Sequence, residues 1–277
     1  MPQKSLNVEI AGLCAEIFAE DSKVFAYLGS RFRNFLSESE PDFDIDLREK
    51  PKSLNIGVEL LNELANMPQA TTLIQKNHRY SFVAKTDSTK EIGFIDVERK
   101  RCLLYELFKD SRALLFTDFL LFCLYVFLGS SNGFLLHACG VVKDNEGYVF
   151  AGPSESGKTT VARLSKGLTL LSDECLCIKE SDNSYRVYGT PWGKGGNKFA
   201  KIKNVFFLKK GKAMAFKRVK PAAAASRILR DASFGALGQQ ITRNILNSVA
   251  KMVDEVPCYE MRFSVNSPIW ESISDLY

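Results

Sequence analysis

The chain has 277 residues, which suits one large domain or two modest ones, and its 45% hydrophobic and 25% charged residues are those of a soluble globular protein. A net charge of +5 is mild for this length. It does not by itself call for nucleic acid or a membrane surface, dispersed Lys and Arg make a nucleic-acid role the least expected, and an anionic ligand would suit it. The seven cysteines are odd in number, sit mostly in apolar runs and never form a CxxC pair, so reduced, buried thiols of a cytoplasmic protein are expected. Cys175 and Cys177 would share one face of a strand, as zinc ligands or as ordinary packing residues, and no second ligand pair is spaced to complete a zinc site.

No charged segment followed by an apolar run opens the sequence, so no signal peptide is expected. Residues 1 to 108 carry short patterned runs, such as the alternating "DFDIDL" at 42–47, then "SFVAKT" and "EIGFIDVE". They predict an α+β N-terminal region with several antiparallel strands. "NIGVELLNELANM" reads as strand or helix, and the acids of "SESEPDFDID" read as a solvated strand edge. From Lys109 to Gly129 the pattern is helical and apolar, with Gly129 to Gly133 punctuating its end. Its core, Phe119 to Leu128, is too short to cross a hydrocarbon layer of ~30 Å at ~1.5 Å per residue and predicts a buried helix.

A second region covers 109–277. "GFLLHACGVVKDNEGYVFAG" predicts two strands joined by a turn at Asp144 to Gly147. "TTVARLSKG" predicts a helix capped by Gly167, and "LTLLSDECLCIKE" a strand with a polar interruption at Ser172, Asp173 and Glu174. "SYRVYGTPW", "NVFFLKKG" and "AMAFKRVK" predict further strands, with Lys209 to Lys212 at a hairpin tip. The tail from Pro221 is helical and closes on the strand "CYEMRFSV".

Between the second strand and the helix lies Gly152-Pro153-Ser154-Glu155-Ser156-Gly157-Lys158-Thr159, followed by Thr160, a full match to G-x-x-x-x-G-K-[ST]. The glycines let backbone N–H groups face phosphate oxygens, the helix presents its positive end, Lys158 reaches the outer phosphates and Thr159 offers a hydroxyl to magnesium. Strand before and helix after are the context this loop requires, so nucleotide binding is expected. Asp173 and Glu174, between apolar runs, need metal or cationic partners if buried and are otherwise an exposed turn. His137 is one of two histidines; by its apolar neighbours alone it reads as a hydrogen-bonded core residue.

The segments "LLHACGVV", "GYVFAGPSESGKTTVARLSKG" and "LLSDECLCI" together resemble the catalytic domain of HPr kinase/phosphorylase, a relative in fold of phosphoenolpyruvate carboxykinase. The resemblance covers roughly residues 133 to 180. It implies an α/β fold with a mixed-sheet phosphate-loop core, ATP and Mg2+ as cofactors, and transfer of the γ-phosphoryl group to a serine hydroxyl. By position Asp173 is implied as the base, Glu174 with Asp173 and Thr159 as metal contacts, and His137 with Lys158 as catalytic. It also implies a homo-oligomer formed through the kinase domain. Where the HPr enzymes carry a glycine-rich signature with an acid, this sequence has "VYGTPWGKGGNKF", with Lys194 and Lys198 and no acid. It is therefore more similar to the divergent HPr-kinase-like proteins that phosphorylate a peptide serine, and phosphorylase activity is not expected.

The leading expectation is an ATP-dependent serine kinase acting on a peptide or small protein, with lysines at 194, 198 and 209–212 available to steer an acidic substrate. The alternatives are a kinase of a small hydroxyl metabolite such as free serine, and a non-catalytic ATP-binding regulator.

Overall fold

The computed structural model describes residues 4–49, 70–85, 90–106, 114–232 and 238–276. The ambiguous run at 55–67 and the boundary drawn from sequence between 108 and 109 both lie outside them. Contacts divide the chain into two units, Met1–Phe127 with Gly235–Gly238, and Leu128–Phe234 with Gln239–Tyr277.

In the first unit β1 (Lys4–Ile10) and β2 (Leu13–Ala19) form a hairpin closed by Ala11 and Gly12, both with positive φ. A mirror-image turn of this kind matches the twist of the strands it joins. Helix α1 (Ser22–Arg31) carries the chain across to β3 (Phe43–Glu49), and β4 (Ala70–Lys76), β5 (Arg79–Lys85), β6 (Lys90–Asp96) and β7 (Arg101–Glu106) complete a sheet of order β1-β2-β3-β7-β6-β5-β4. The sheet is mixed rather than antiparallel throughout, because β3 is parallel to both β2 and β7. A crossover such as α1 returns the chain in its original direction and so yields a parallel neighbour. The acids of β3 are consequently not an edge: the strand lies inside the sheet, and Asp46, 5% exposed, pairs with Arg48 two residues along the same face. The predicted apolar helix, α2 (Leu114–Ser130), lays Phe119 against Phe82 and stacks Phe127 on Phe43. Its buried stretch agrees with the sequence reading, and no helix among the described residues is long and apolar enough to cross a membrane.

The second unit is built on a mixed sheet of order β11-β9-β10-β14-β13-β12-β8, extended by β16 on β14 and β15 on β16. Its strands are β8 (Gly133–Leu136), β9 (Ala138–Lys143), β10 (Glu146–Ala151), β11 (Thr169–Ser172), β12 (Leu176–Ser181), β13 (Ser184–Tyr188), β14 (Phe199–Lys210), β15 (Ala215–Arg218) and β16 (Cys258–Phe263). Helices α3 (Lys158–Leu164), α4 (Pro221–Asp231), α5 (Gln239–Glu255) and α6 (Ile269–Ser274) complete it. Asp144-Asn145 and Asp182-Asn183, all at positive φ, close two further tight hairpins, because Asp and Asn tolerate that backbone better than branched residues do.

Four expectations are corrected here. "GFLLHACGVV" is two strands, not one: β8 pairs with β12 whereas β9 pairs with β10 and β11, and the chain changes partners at His137. "LTLLSDECLCIKE" likewise divides into β11 on β9 and β12 on β8, so its polar interruption is a crossing between distant strands. Lys209 to Lys212 is not a hairpin tip, since β16 lies between β14 and β15 and pairs with both. The chain does not close on β16 but continues into α6, whose Trp270 packs edge-on against Tyr148 and Phe150. In the first three cases the extended pattern is local, and long-range partners decide where each strand divides and lies.

Candidate functional site

The sheet of the second unit gathers the chemistry-bearing residues at one end. β10, β14 and β16 run parallel, so their carboxyl ends lie together; β9 begins and β11 ends at the same level, opposite them. Ligands of open α/β sheets bind outside such carboxyl ends. The segment after β10, the crossing after β11, the residue before β9, the end of β14 and the chain beyond β16 accordingly meet around one cavity of about 670 Å³. Its walls include His137, Lys158, Asp173, Glu174, Lys210 and Val265, together with Ser154, Glu155, Gly157, Thr159 and Thr160.

The loop between β10 and α3 is held in a wrapped shape. Glu155 has φ 63 and Gly157 φ 112. The first is a left-handed non-glycine, a conformation that costs about 1–2 kcal/mol and persists only where its surroundings impose it. At Gly157 a Cβ would stand 2.6 Å from the Phe263 ring, so a side chain is excluded by contact as well as by φ. The first N–H of α3 with an intrahelical acceptor is that of Val161, which donates to Gly157 O at 2.9 Å. The N–H groups of Lys158, Thr159 and Thr160 precede it and have no intrahelical acceptor. With the Lys158 ammonium they form a donor set suited to phosphate oxygens.

Lys158 is 7% exposed and donates to the carbonyl oxygens of Gly152 at 2.7 Å and Pro153 at 2.9 Å. Burial pulls its pKa below the ordinary lysine value, and the charge of Asp231 opposes that shift. Burial likewise lowers the His137 imidazole, helped by the Lys158 ammonium and opposed by Glu174 and Asp231. Such a histidine is neutral at pH 7, able to donate or accept one hydrogen bond. Ser156 lies behind the loop with its hydroxyl buried and unpartnered among the described residues, where a Cβ on Gly152 would meet its Oγ at 2.7 Å.

Asp173 and Glu174 are tied down by a second loop, 189–198. Ser172 donates its hydroxyl to Trp192 O at 2.6 Å and accepts from the N–H groups of Glu174 and Cys175. Thr190 donates to Cys175 O, Gly195 bridges to Ser172, and the Lys194 N–H donates to Asp173 Oδ1 at 2.7 Å. A Cβ at Gly195 would stand 2.0 Å from Leu171 O, and one at Gly193 2.6 Å from Asp173 Oδ1. Gly193 and Gly195 of "GKGG" are therefore spacing residues that let this loop close on the acids.

Of the residues singled out from sequence, His137, Ser154, Glu155, Gly157, Lys158, Thr159, Thr160, Asp173 and Glu174 line the cavity, while Gly152, Pro153 and Ser156 form the backing that holds Lys158 and the loop. Sequence reasoning did not identify Asp231 at the end of α4. Its side chain is 7% exposed, its Oδ2 has no partner among the described residues, and its backbone carbonyl accepts the His137 N–H. Nothing in "RILRDAS" marks that acid; a fold that returns α4 to His137 does.

The fold and this cavity define an α/β protein with mixed sheets whose strand–loop–helix unit lines the cavity with a buried lysine and two acids. The chain belongs to the family described as SynChlorMet cassette protein ScmC, whose model matches residues 101–277. No curated protein matches the sequence. Among solved structures, the Hpr(Ser) kinase/phosphatase from Coxiella burnetii is 12% identical, with 48% of this chain and 86% of that chain covered and a TM-score of 0.27.

Proposed function

We propose that this protein is an ATP-dependent kinase that transfers the γ-phosphoryl group to a hydroxyl, and that the acceptor is a serine of a peptide or small protein. The observation that carries the reading is the meeting, in one cavity, of a buried lysine and open helix N–H groups with two carboxylates that a separate loop fixes in place. The resemblance of three segments to HPr kinase supports it, and the cavity of about 670 Å³ suits a nucleotide.

The N–H groups of residues 158–160 and the ammonium of Lys158 would bind the phosphates and offset the charge that gathers on the leaving oxygen. Lys158 would exchange its two carbonyl partners for phosphate oxygens. Asp173 has one oxygen committed to Lys194, and its other oxygen would accept the proton of the incoming hydroxyl. As the new O–P bond forms, the bond between the γ phosphorus and its bridging oxygen breaks, and ADP leaves. Neutral His137 would donate its ring N–H to a phosphate oxygen without adding a full charge.

No group of three or more His, Cys, Asp and Glu among the described residues would hold a metal unaided. That suits magnesium, which is bound through one or two carboxylates together with phosphate oxygens and water. The Thr159 hydroxyl and the carboxylates of Asp173 and Glu174 would hold it, and it would supply charge neutralisation at the phosphates.

The test is transfer of label from γ-labelled ATP in magnesium buffer, with the other products of the same cassette and free serine as acceptors. Label on one polypeptide, lost in Asp173→Ala, is the expected result; label on free serine would make this a metabolite kinase. Nucleotide binding without transfer would favour the regulator reading, to which the acid-free "GKGG" loop gives its one specific support.

A further inference from the structure

A second cavity, of about 490 Å³, adjoins the first at Asp173. It shares Thr159, Thr160 and Asp173 with the first, and adds Arg163, Leu170 and Lys194. In-line phosphoryl transfer needs donor and acceptor on opposite sides of the phosphorus. Two cavities that share the proposed base give donor and acceptor separate places beside that carboxylate. Building on the kinase reading, we infer that this second cavity is the acceptor subsite and that Arg163 and Lys194 select an acceptor carrying carboxylates beside its hydroxyl.

The charge balance of the cavity supports that class. Its single acid, Asp173, is committed to the reaction, while Arg163 and Lys194 form no ion pair among the described residues. Their backbones are fixed. Arg163 rides on α3, and Lys194 stands in the loop tied to Asp173 and Ser172. Leu170 supplies an apolar floor for the acceptor's backbone or methylene groups. Carboxylate beside hydroxyl describes both a serine flanked by Asp or Glu in a peptide and free serine, and the peptide is favoured because the cavity is far larger than one amino acid requires.

The experiment uses the full chain and fluorescence anisotropy with three labelled probes, in which one serine is flanked on each side by two glutamates, two alanines or two lysines. Unlabelled free serine serves as competitor. The glutamate probe should bind about tenfold more tightly than the alanine probe, the sum of two exposed ion pairs. Arg163→Ala with Lys194→Ala should abolish that preference, and Arg163→Glu with Lys194→Glu should transfer it to the lysine probe, a gain that a folding defect does not produce. Equal binding of the glutamate and alanine probes, or a preference that survives the double alanine variant, would overturn the inference. So would displacement by free serine at concentrations as low as those of the peptide itself. ATP affinity, measured separately on the same samples, distinguishes the two levels: absent ATP binding removes the kinase reading, whereas a missing probe preference with ATP binding intact removes only the subsite.

Discussion

The backbone N–H of Lys194 donates to Oδ1 of Asp173 at 2.7 Å, across 21 positions of sequence. The orientation of the proposed base is therefore set by a loop that does not line the cavity proposed for the nucleotide. A Gly193→Ala substitution places a methyl group 2.6 Å from that oxygen at φ +84, and Gly195→Ala places one 2.0 Å from Leu171 O at φ +151. Each should cost about 1–3 kcal/mol of stability in urea denaturation. Gly193→Ala should also lower phosphoryl transfer by about tenfold or more through misplacement of Asp173, with ATP affinity little changed.

Lys158 meets two carbonyl oxygens of its own loop, and phosphate oxygens would replace them. Lys158→Met leaves both carbonyls without that donor and removes the buried positive charge. ATP affinity should fall about ten- to a hundredfold, the worth of hydrogen bonds to a charged group. Calorimetric titration with a non-hydrolysable ATP analogue checks it, and undiminished affinity would place the nucleotide elsewhere.

Asp231, whose Oδ1 pairs with Arg230 at 3.2 Å while its Oδ2 has no partner among the described residues, puts a negative charge near Lys158 and His137. Asp231→Asn keeps the shape and removes the charge. Repulsion of the phosphates should drop, and ATP affinity should rise several-fold, most visibly at low salt. An affinity that falls instead would mean that Asp231 chiefly holds Lys158 in its binding position.

Burial pushes the thiols of Cys139 and Cys175 up to about 12 from an ordinary value of 9.0. The reactive form is the thiolate, so alkylation of both in the native protein at about pH 8 should be slower than in urea by orders of magnitude, as peptide mapping after iodoacetamide treatment would show. Because the folded state keeps these protons longer than the unfolded state does, their contribution to stability is intact below the unfolded value and declines as pH rises above it. Urea midpoints should therefore fall above about pH 9.

Trp270 donates its indole N–H to Ser165 Oγ at 3.1 Å and packs on Tyr148 and Phe150, which joins α6 to the turn after α3 and to β10. Trp270→Ala should cost about 2–4 kcal/mol, somewhat less than a fully buried aromatic. Its effect on ATP affinity should exceed that of Trp270→Phe, since the loop before α3 rests on the same core.

The sequence carried the local pieces of this site well. The glycine-rich loop, its lysine and its threonine are contiguous in sequence, and their spacing is itself the chemical requirement, so they were legible together with the flanking strand and helix. Asp173 and Glu174 were legible because two adjacent acids inside an apolar run demand an explanation. His137 was ambiguous from its neighbours, since a histidine on an apolar stretch looks the same whether it packs or faces a cavity. What set it at the cavity is that the chain changes strand partners there, from β12 to β10 and β11.

The misread elements share one cause. Strand order, the insertion of β16 between β14 and β15, the interior position of β3 and the approach of Asp231 to His137 are all pairings between residues far apart in the chain. By itself the sequence determined which segments are strands and helices, where the tight turns fall and which short motif can cradle phosphate, because backbone propensity, turn chemistry and periodicity act over a few residues. Only the tertiary structure decided that five separated segments end at the same edge of one sheet, that a loop of glycines holds Asp173, and that two cavities meet at that carboxylate. Those outcomes depend on burial and backbone pairing, which are satisfied between distant segments and leave no local trace in the residues concerned.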